Sequence, residues 1–567
     1  MKNLFFSGKK FIIPLLLLCW ISFPDTCAAQ RGHFIVDSLT TVIDAANSPF
    51  NMVLPGDTIF LTGGRKDYLL IRNFQGVPGN PITFMNSAGV VIIDTDHYFG
   101  ISVENCRYFR ITGTGSEATF YGFQINRVSR GAGIGVGKLS SDFELDHLSV
   151  KNVLFGAIIA KTDPSCLFNS TREKFTQYNT AVHDCYISNS GNEGMYIGST
   201  KYFGQVVNCD GKDTLLLPSL LDGVRVYNNI VESAGWDGIQ VSSASNNCQV
   251  YDNLILHDSQ DEHYGQMAGI MLGGGSKCDC YNNYISDGKG IGIESHGLGG
   301  YRIFNNIIVN AGKSYKPYDS LDMKFGIFIT DTSVIPDSSF YLLFNDIINP
   351  KSDGIRFSST LSRHNLVASN VIINPGNFDF YEHGNTGFIG KDAYVMLPDH
   401  SSEVNLKNNY FSRTSDSAGF SATNYTLQPG SPLIDAGYFE NKGVTYDFYH
   451  HARPYGKSYD IGAHEFNPAF LDISENKPPS ATKISLYPNP VRDSFSIRFQ
   501  VTAPSKVIFD MYNLQGTNID SSNWRIPGTG SFTKTVNVAN LPDGIYLFML
   551  RIGTQSHSGR FVKVSRK

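Results

Sequence analysis

The chain has 567 residues, 17% of them charged, with a formal net charge of −5 and 55 Gly, 29 Tyr and 39 Phe. That balance excludes the basic footprint of a nucleic-acid-binding protein and fits a β-rich fold with ample chain for a large core. At about 150 residues per domain the length allows two to four units, unless one small unit is stacked many times.

Residues 1–29 place Lys2, Lys9 and Lys10 ahead of an apolar run that ends on Cys27, Ala28 and Ala29. This is the pattern of a secretory signal cut before Gln30. The run is short for a membrane span, and no later stretch approaches about 18 apolar residues, so no integral membrane segment is expected after cleavage. Leu18 and Thr26 disfavour lipidation of the cysteines that follow them. Nine cysteines less Cys19 and Cys27 leave seven. An odd number in an oxidising compartment leaves at least one unpaired, and no spacing suits zinc.

From residue 51 onward short apolar runs alternate with Gly, Pro and Asn turns, which predicts strands, and no amphipathic helix is expected before residue 470. Two elements then recur in fixed order. The segments YNNIV, YDNLI, YNNYI, FNNII, FNDII, SNVII and KNNYF place Asn229, Asn253, Asn283, Asn306, Asp346, Asn370 and Asn409 at one position. GIQV, GIML, GIES, GIFI and GIRF follow the first five, with GMYI upstream. The shortest intervals are 24, 23 and 24 residues, and the longer ones hold polar inserts such as DSQDEHYGQ and KSYKPYDSLD. One structural unit repeated with insertions is a solenoid with projecting loops.

Alternation on a strand turns Ile239 and Val241 inward and Gln240 outward. Stacking at about 4.8 Å sets like residues on like residues. The Asn positions then form a ladder at a sharp turn, their amides bonded to one another and to the backbone of the bend. Cys248 and Cys278 share an offset five residues before Asn253 and Asn283, so they stack in neighbouring coils, as apolar fillers or as a disulfide.

This pattern resembles the right-handed parallel β-helix families that include pectate lyases, polygalacturonases, alginate lyases and chondroitinase B. The resemblance implies an all-β solenoid over residues 30–430, carried most clearly by residues 50–430. The stretch 431–467, with PLIDAG and DIGAHE, is similar to the closing motif of many surface β-helix proteins and reads as a cap over the last coil. Residues 468–483 form a polar, Pro-bearing linker. Beyond them, Phe495, Ile497, Phe499 and Val501 alternate with Ser496, Arg498 and Gln500, and about seven short strands predict a small C-terminal β-sandwich. LYPNPVRDSFSI, FDMYNLQG, LPDGIYLFMLRIG and the terminal GRFVKVSRK look like the sorting domain of the type IX secretion system of Bacteroidota. For residues 484–567 that likeness implies the type IX machinery as a partner, export to the outer-membrane cell surface or the medium, and removal of the domain during secretion.

In β-helix carbohydrate enzymes a polysaccharide lies along an outer face. The outward positions of the G-I strands are Tyr196, Gln240, Met271, Glu294, Phe328, Arg356 and, from FDFYEHG, Asp379, with Ser242, His296 and Tyr381 next along. Glu294 and Arg356 are two coils apart, about 10 Å, which suits a saccharide between them. His296 shares the face of Glu294. Tyr196, Phe328 and Tyr381 are expected to stack on sugars, with Gln240 and Asp379 also binding substrate. GIGIESHGLGG and KSDGIRFSST are similar to polygalacturonase segments, but Gln240 stands where the first catalytic aspartate belongs and QMAGIML lacks the acidic pair. Paired-carboxylate hydrolysis is therefore doubtful. A lyase would use His296, Lys324 or Tyr381 as base and Arg356, or calcium held by Asp258, Asp261 and Glu262, to neutralise a uronate.

The function expected is thus that of a secreted or cell-surface carbohydrate-active protein, a polysaccharide lyase or glycoside hydrolase, with an epimerase sharing the proton-abstraction step. The alternative is a noncatalytic surface protein for glycan binding or adhesion. His450 and His451 are assigned to the closing segment rather than to a metal.

Overall fold

The computed structural model describes residues 33–116, 119–316, 323–399, 401–421, 425–467, 484–487, 489, 491–513, 516–542, 544–553 and 555–563. The leader and the linker read from the sequence lie outside the described residues.

A typical coil runs through Arg225–Tyr227, Ile230–Ala234 and Ile239–Val241. Strands of the first two kinds stack in parallel as a 23-stranded assembly, and those of the third kind form a 12-stranded parallel sheet. The body is a right-handed parallel β-helix. Ile239, Val241, Ile270, Leu272, Ile293, Ile327 and Ile355 point inward and are fully buried. Each such side chain contributes about 1.5–3 kcal/mol of burial, and β-branched residues suit the pleat.

The Asn ladder is continuous. Asn229 donates to Asn253 (3.0 Å), Asn253 to Asn283 (3.0 Å), Asn283 to Asn306 (2.9 Å) and Asn306 to Asn345 (2.9 Å). Asn345 donates to Asn370 and Asn370 to Asn409, each at 2.9 Å. The fifth rung is therefore Asn345, not Asp346. The cause is the residue ahead of each rung, which takes the left-handed conformation: Asn228, Asp252, Asn282, Asn305, Ser369 and Asn408, but Phe344 in the fifth coil, at φ 55°. Small polar residues tolerate that region, which explains the paired NN of the repeat, while Phe344 is the exception. Asp346 instead opens the next strand.

Cys248 and Cys278 form a disulfide, as do Cys166 and Cys209, and Cys106, Cys185 and Cys280 are buried thiols.

The closing segment does not end the solenoid; it runs back along its flank. The Ala463 N–H donates to Asp346 Oδ1 (3.0 Å), Arg302 to the Lys442 carbonyl (3.0 Å) and Asn305 to the Tyr446 carbonyl (2.7 Å). His450 Nε2 lies 3.1 Å from Asp252 Oδ1. The reason lies in the strands below, whose outward residues Ile307, Val309, Ile348, Val371 and Ile373 are apolar and meet Ala463, Leu427, Leu433 and Ile461.

The C-terminal domain is a sandwich of a three-stranded and a four-stranded antiparallel sheet. Phe495, Ile497, Phe499 and Val501 fill its core, as their alternation predicts. It covers the rest of the same flank: Tyr512, Leu547 and Met549 pack on Phe120, Tyr121, Tyr186, Ile230 and Leu254. The Phe120 N–H donates to the Gly516 carbonyl at 3.0 Å.

Candidate functional site

The outward column of the 12-stranded sheet is in the register expected, with Tyr196 beside Gln240, Gln240 beside Met271, Met271 beside Glu294, Glu294 beside Phe328 and Phe328 beside Arg356. Beyond Arg356 stands Met396, not Asp379. Residues Phe378–His383 are a short α-helix rather than a strand, so Asp379 and Tyr381 leave the column. Asp379 is exposed and holds Arg413 through two 3.0 Å contacts. Tyr381 is buried against Ala393 and Met396, and its hydroxyl accepts from Asn377 at 3.2 Å. Neither can stack on or bind a sugar where the sequence placed it.

Glu294 and His296 are brought together. His296 Nε2 lies 3.0 Å from Glu294 Oε1, and its Nδ1 lies 2.8 Å from Thr330 Oγ1 and 2.7 Å from Thr332 Oγ1. The imidazole thus bridges the threonine hydroxyls and the carboxylate and holds Glu294 in place. Both residues are half-buried. Arg356 lies two coils on, with Nη1 3.2 Å from Asp353 Oδ2 and its guanidinium 5.2 Å above the Phe325 ring. Phe325 and Phe328 lie on the coil between them, and with Met271, Ile291, Ala268 and Met323 they make an apolar floor outside the solenoid core. Tyr196 is engaged by Thr200 (2.9 Å) and by Lys161, whose ammonium sits 4.7 Å over its ring. Lys324 sits deeper, 4.6 Å over the Tyr315 ring.

The acidic loop does not assemble a calcium site. Asp258 is buried and accepts from Ser259 (2.7 Å), Asp261 lies beside Gly235, and Glu262 is paired with Lys289 at 2.7 Å. The loop turns each carboxylate a different way, so the donors a hard cation needs do not converge. Two other groups of acids and histidines do converge among the described residues, Asp447 with His451 and His464, and Glu144 with Asp146 and His183. Asp447 already accepts the His451 and Glu465 N–H groups (2.7 and 2.9 Å), while His183 is held by Asp184 (2.6 Å) and Glu144 (3.3 Å). Both groups bind themselves.

A second column escaped the sequence reading. The residue before each repeat glycine also faces outward: Glu193, Asp237, Ala268, Ile291, Phe325 and Asp353. The signal was present in EGM, DGI and DGI. Asp237 is fully buried, its Oδ1 accepts the Ala268 N–H (2.8 Å) and its Oδ2 has no hydrogen-bond partner. Burial first, then the charges of Glu294 and Glu193, hold its carboxyl well above the usual range. Gln240 beside it donates to Gln266 (3.1 Å) and has a buried, unpartnered Oε1. The loop carrying Gln266 is braced by Trp236 and His263, stacked at 4.0 Å.

The family described as "Secretion system C-terminal sorting domain" matches residues 485–564. No curated protein matches the chain. Among solved structures the chain is similar to the pectate lyase Pel9A, at 14% identity and a TM-score of 0.37 over 76% of this chain and 98% of that one. It is also similar to XylC in complex with xylose, at 10% identity and 0.32, over 88% and 100%. A third is the enzymatically active domain of tailspike protein 2 of bacteriophage CBA120, at 10% identity and 0.21, over 94% and 71%. The chain is thus a parallel β-helix that carries a type IX sorting domain and is delivered to the cell surface or beyond.

Proposed function

We propose that this exported protein acts on an acidic polysaccharide laid along the 12-stranded face, by proton abstraction beside a uronate carboxylate. The observation that carries the reading is the Thr330–His296–Glu294 relay at an outward position, 3.0 Å at its last link. Glu294 takes the proton from the carbon next to the carboxylate, the carbon–carbon double bond forms as the glycosidic C–O bond breaks, and the leaving oxygen takes a proton from solvent water. His296 orients Glu294. Arg356, two coils away, takes a sugar carboxylate through the guanidinium donors that Asp353 leaves open, and Phe328 supports a ring between them.

A base with one cation favours elimination over hydrolysis, which needs two carboxyls flanking one bond. The test is a panel of uronate polysaccharides read by absorbance of unsaturated products. Turnover is expected on at least one, with Glu294→Gln lower by about 10²–10⁴-fold and unchanged in melting temperature. A wild-type protein that gives no product on any of them overturns the reading.

A further inference from the structure

A groove of about 620 Å³ lies around the corner from that face, lined by Asn179, Asp222, Arg225, Asn247, Gln249 and Lys277 among others. It forms where each coil turns from the 12-stranded sheet into strands such as Cys248–Tyr251 and Cys278–Tyr281. The residues entering these strands stack coil on coil as Asn179, Gly223, Asn247, Lys277 and Gly300, with the Asn179 N–H bonded to the Asp222 carbonyl (2.8 Å) and the Gly223 N–H to the Asn246 carbonyl (3.1 Å). Gly223 and Gly300 are left-handed, at φ 81° and 73°. A β-carbon on Gly223 would come within 2.9 Å of Asn179 Oδ1, and one on Gly300 within 3.2 Å of Lys277 Cε. The two glycines keep the trough open.

Its charges are unequally committed. Asp279 is held by Arg302, with Nε 3.2 Å from Oδ2, and Asp222 accepts from Asn247 at 2.8 Å. Arg225 and Lys277 are exposed, and among the described residues neither meets a carboxylate. Arg225 pairs in register with Gln249, and Gln249 with Asp279, two residues past Lys277. The two cations are therefore two coils apart, about 10 Å along the axis, comparable to two sugar rings, with the Gln249 and Asn247 amides between them.

We propose that this groove is a binding site for an acidic glycan strand, separate from the Glu294 face. Arg225 and Lys277 take anionic groups on alternate sugars, and the amides take the hydroxyls of the sugar between. The anion is a carboxylate or a sulfate ester, both of which an arginine fork and an ammonium accept.

The test is affinity electrophoresis of the full chain in gels containing polygalacturonate, dextran sulfate or neutral dextran. Retardation is expected by one or both acidic polymers, fading with salt, and not by neutral dextran; the polymer preferred identifies the anion. Arg225→Ala/Lys277→Ala is expected to bind about tenfold more weakly or worse, while Arg413→Ala, outside both surfaces, is retarded like the wild type; retardation is read here and unsaturated product in the catalytic test, so the two failures are distinguishable. Should the alanine pair not fold, Arg225→Gln/Lys277→Gln is read in its place. The proposal is overturned if neither acidic polymer retards the wild type more than neutral dextran does, or if the folded double variant binds as tightly as the wild type.

Discussion

The solenoid has two long outer surfaces that its own chain treats in opposite ways. On the flank, the outward residues Tyr186, Ile230, Leu254, Ile307 and Val371 are apolar, and the closing segment and the sorting domain between them cover the row. On the 12-stranded sheet, Tyr196, Glu294, Phe328 and Arg356 remain half-exposed, with loops raised beside them. The hydrophobic effect accounts for the first arrangement, because uncovered rows of that size are unstable in water. It does not account for the second, where ionisable groups are held in fixed positions by His296, Thr330 and Asp353.

The sharpest way to break the contrast is to loosen the flank. Arg453 and Glu465 are buried 3.1 Å apart, and Arg453 also donates to the Gly462 carbonyl at 2.7 Å. Arg453→Ala should lower stability in urea unfolding by about 3–5 kcal/mol, since it strands a buried carboxyl and a carbonyl. An effect below 1 kcal/mol would mean that the cover adds little.

At the rim of the open face, burial pushes the Asp258 carboxyl up to about 6, from 3.8. The folded state then keeps a proton that the unfolded state releases, so this group lowers stability as pH rises between those two values. Asp258→Asn should be more stable than the wild type above that window by about 3 kcal/mol, and no more stable below it. A constant difference across pH would sink the assignment.

A direct comparison of the two surfaces uses one side chain from each. Leu254→Ala on the covered flank should cost about 2–3 kcal/mol. Phe328→Ala on the open face should cost about 1 kcal/mol or less and instead weaken glycan turnover through KM. Equal stability losses would erase the distinction. The smallest effect is expected at Arg413→Ala, which frees an exposed Asp379 and should leave both melting temperature and turnover unchanged.

Much of the fold was legible because stacking forces like residues into register. Paired asparagines marked the left-handed residue and the rung after it, and the G-I strand marked the inward and outward sides. The one misplaced rung arose where Phe344 takes the turn position, so that FND presents its Asn one place early. The site was legible where it rides on strands, at Glu294, His296 and Arg356. It was not legible where the chain leaves the repeat: Asn377 precedes a helix that removes Asp379 and Tyr381, and the acidic loop fans its carboxylates apart. Asp237 was missed because alternation was counted from the isoleucine onward, although the bend ahead of it also turns outward.

The backward course of the closing segment also changes how the solenoid can come apart. In a stack where each repeat touches only its neighbours, terminal coils fray one at a time. Here one strap bonds to Ser369, Asp346, Asn305 and Arg302 and reaches Asp252, a run of five rungs. Those coils are tied into a single cooperative block, so unzipping that starts at the last coil must first release the whole strap.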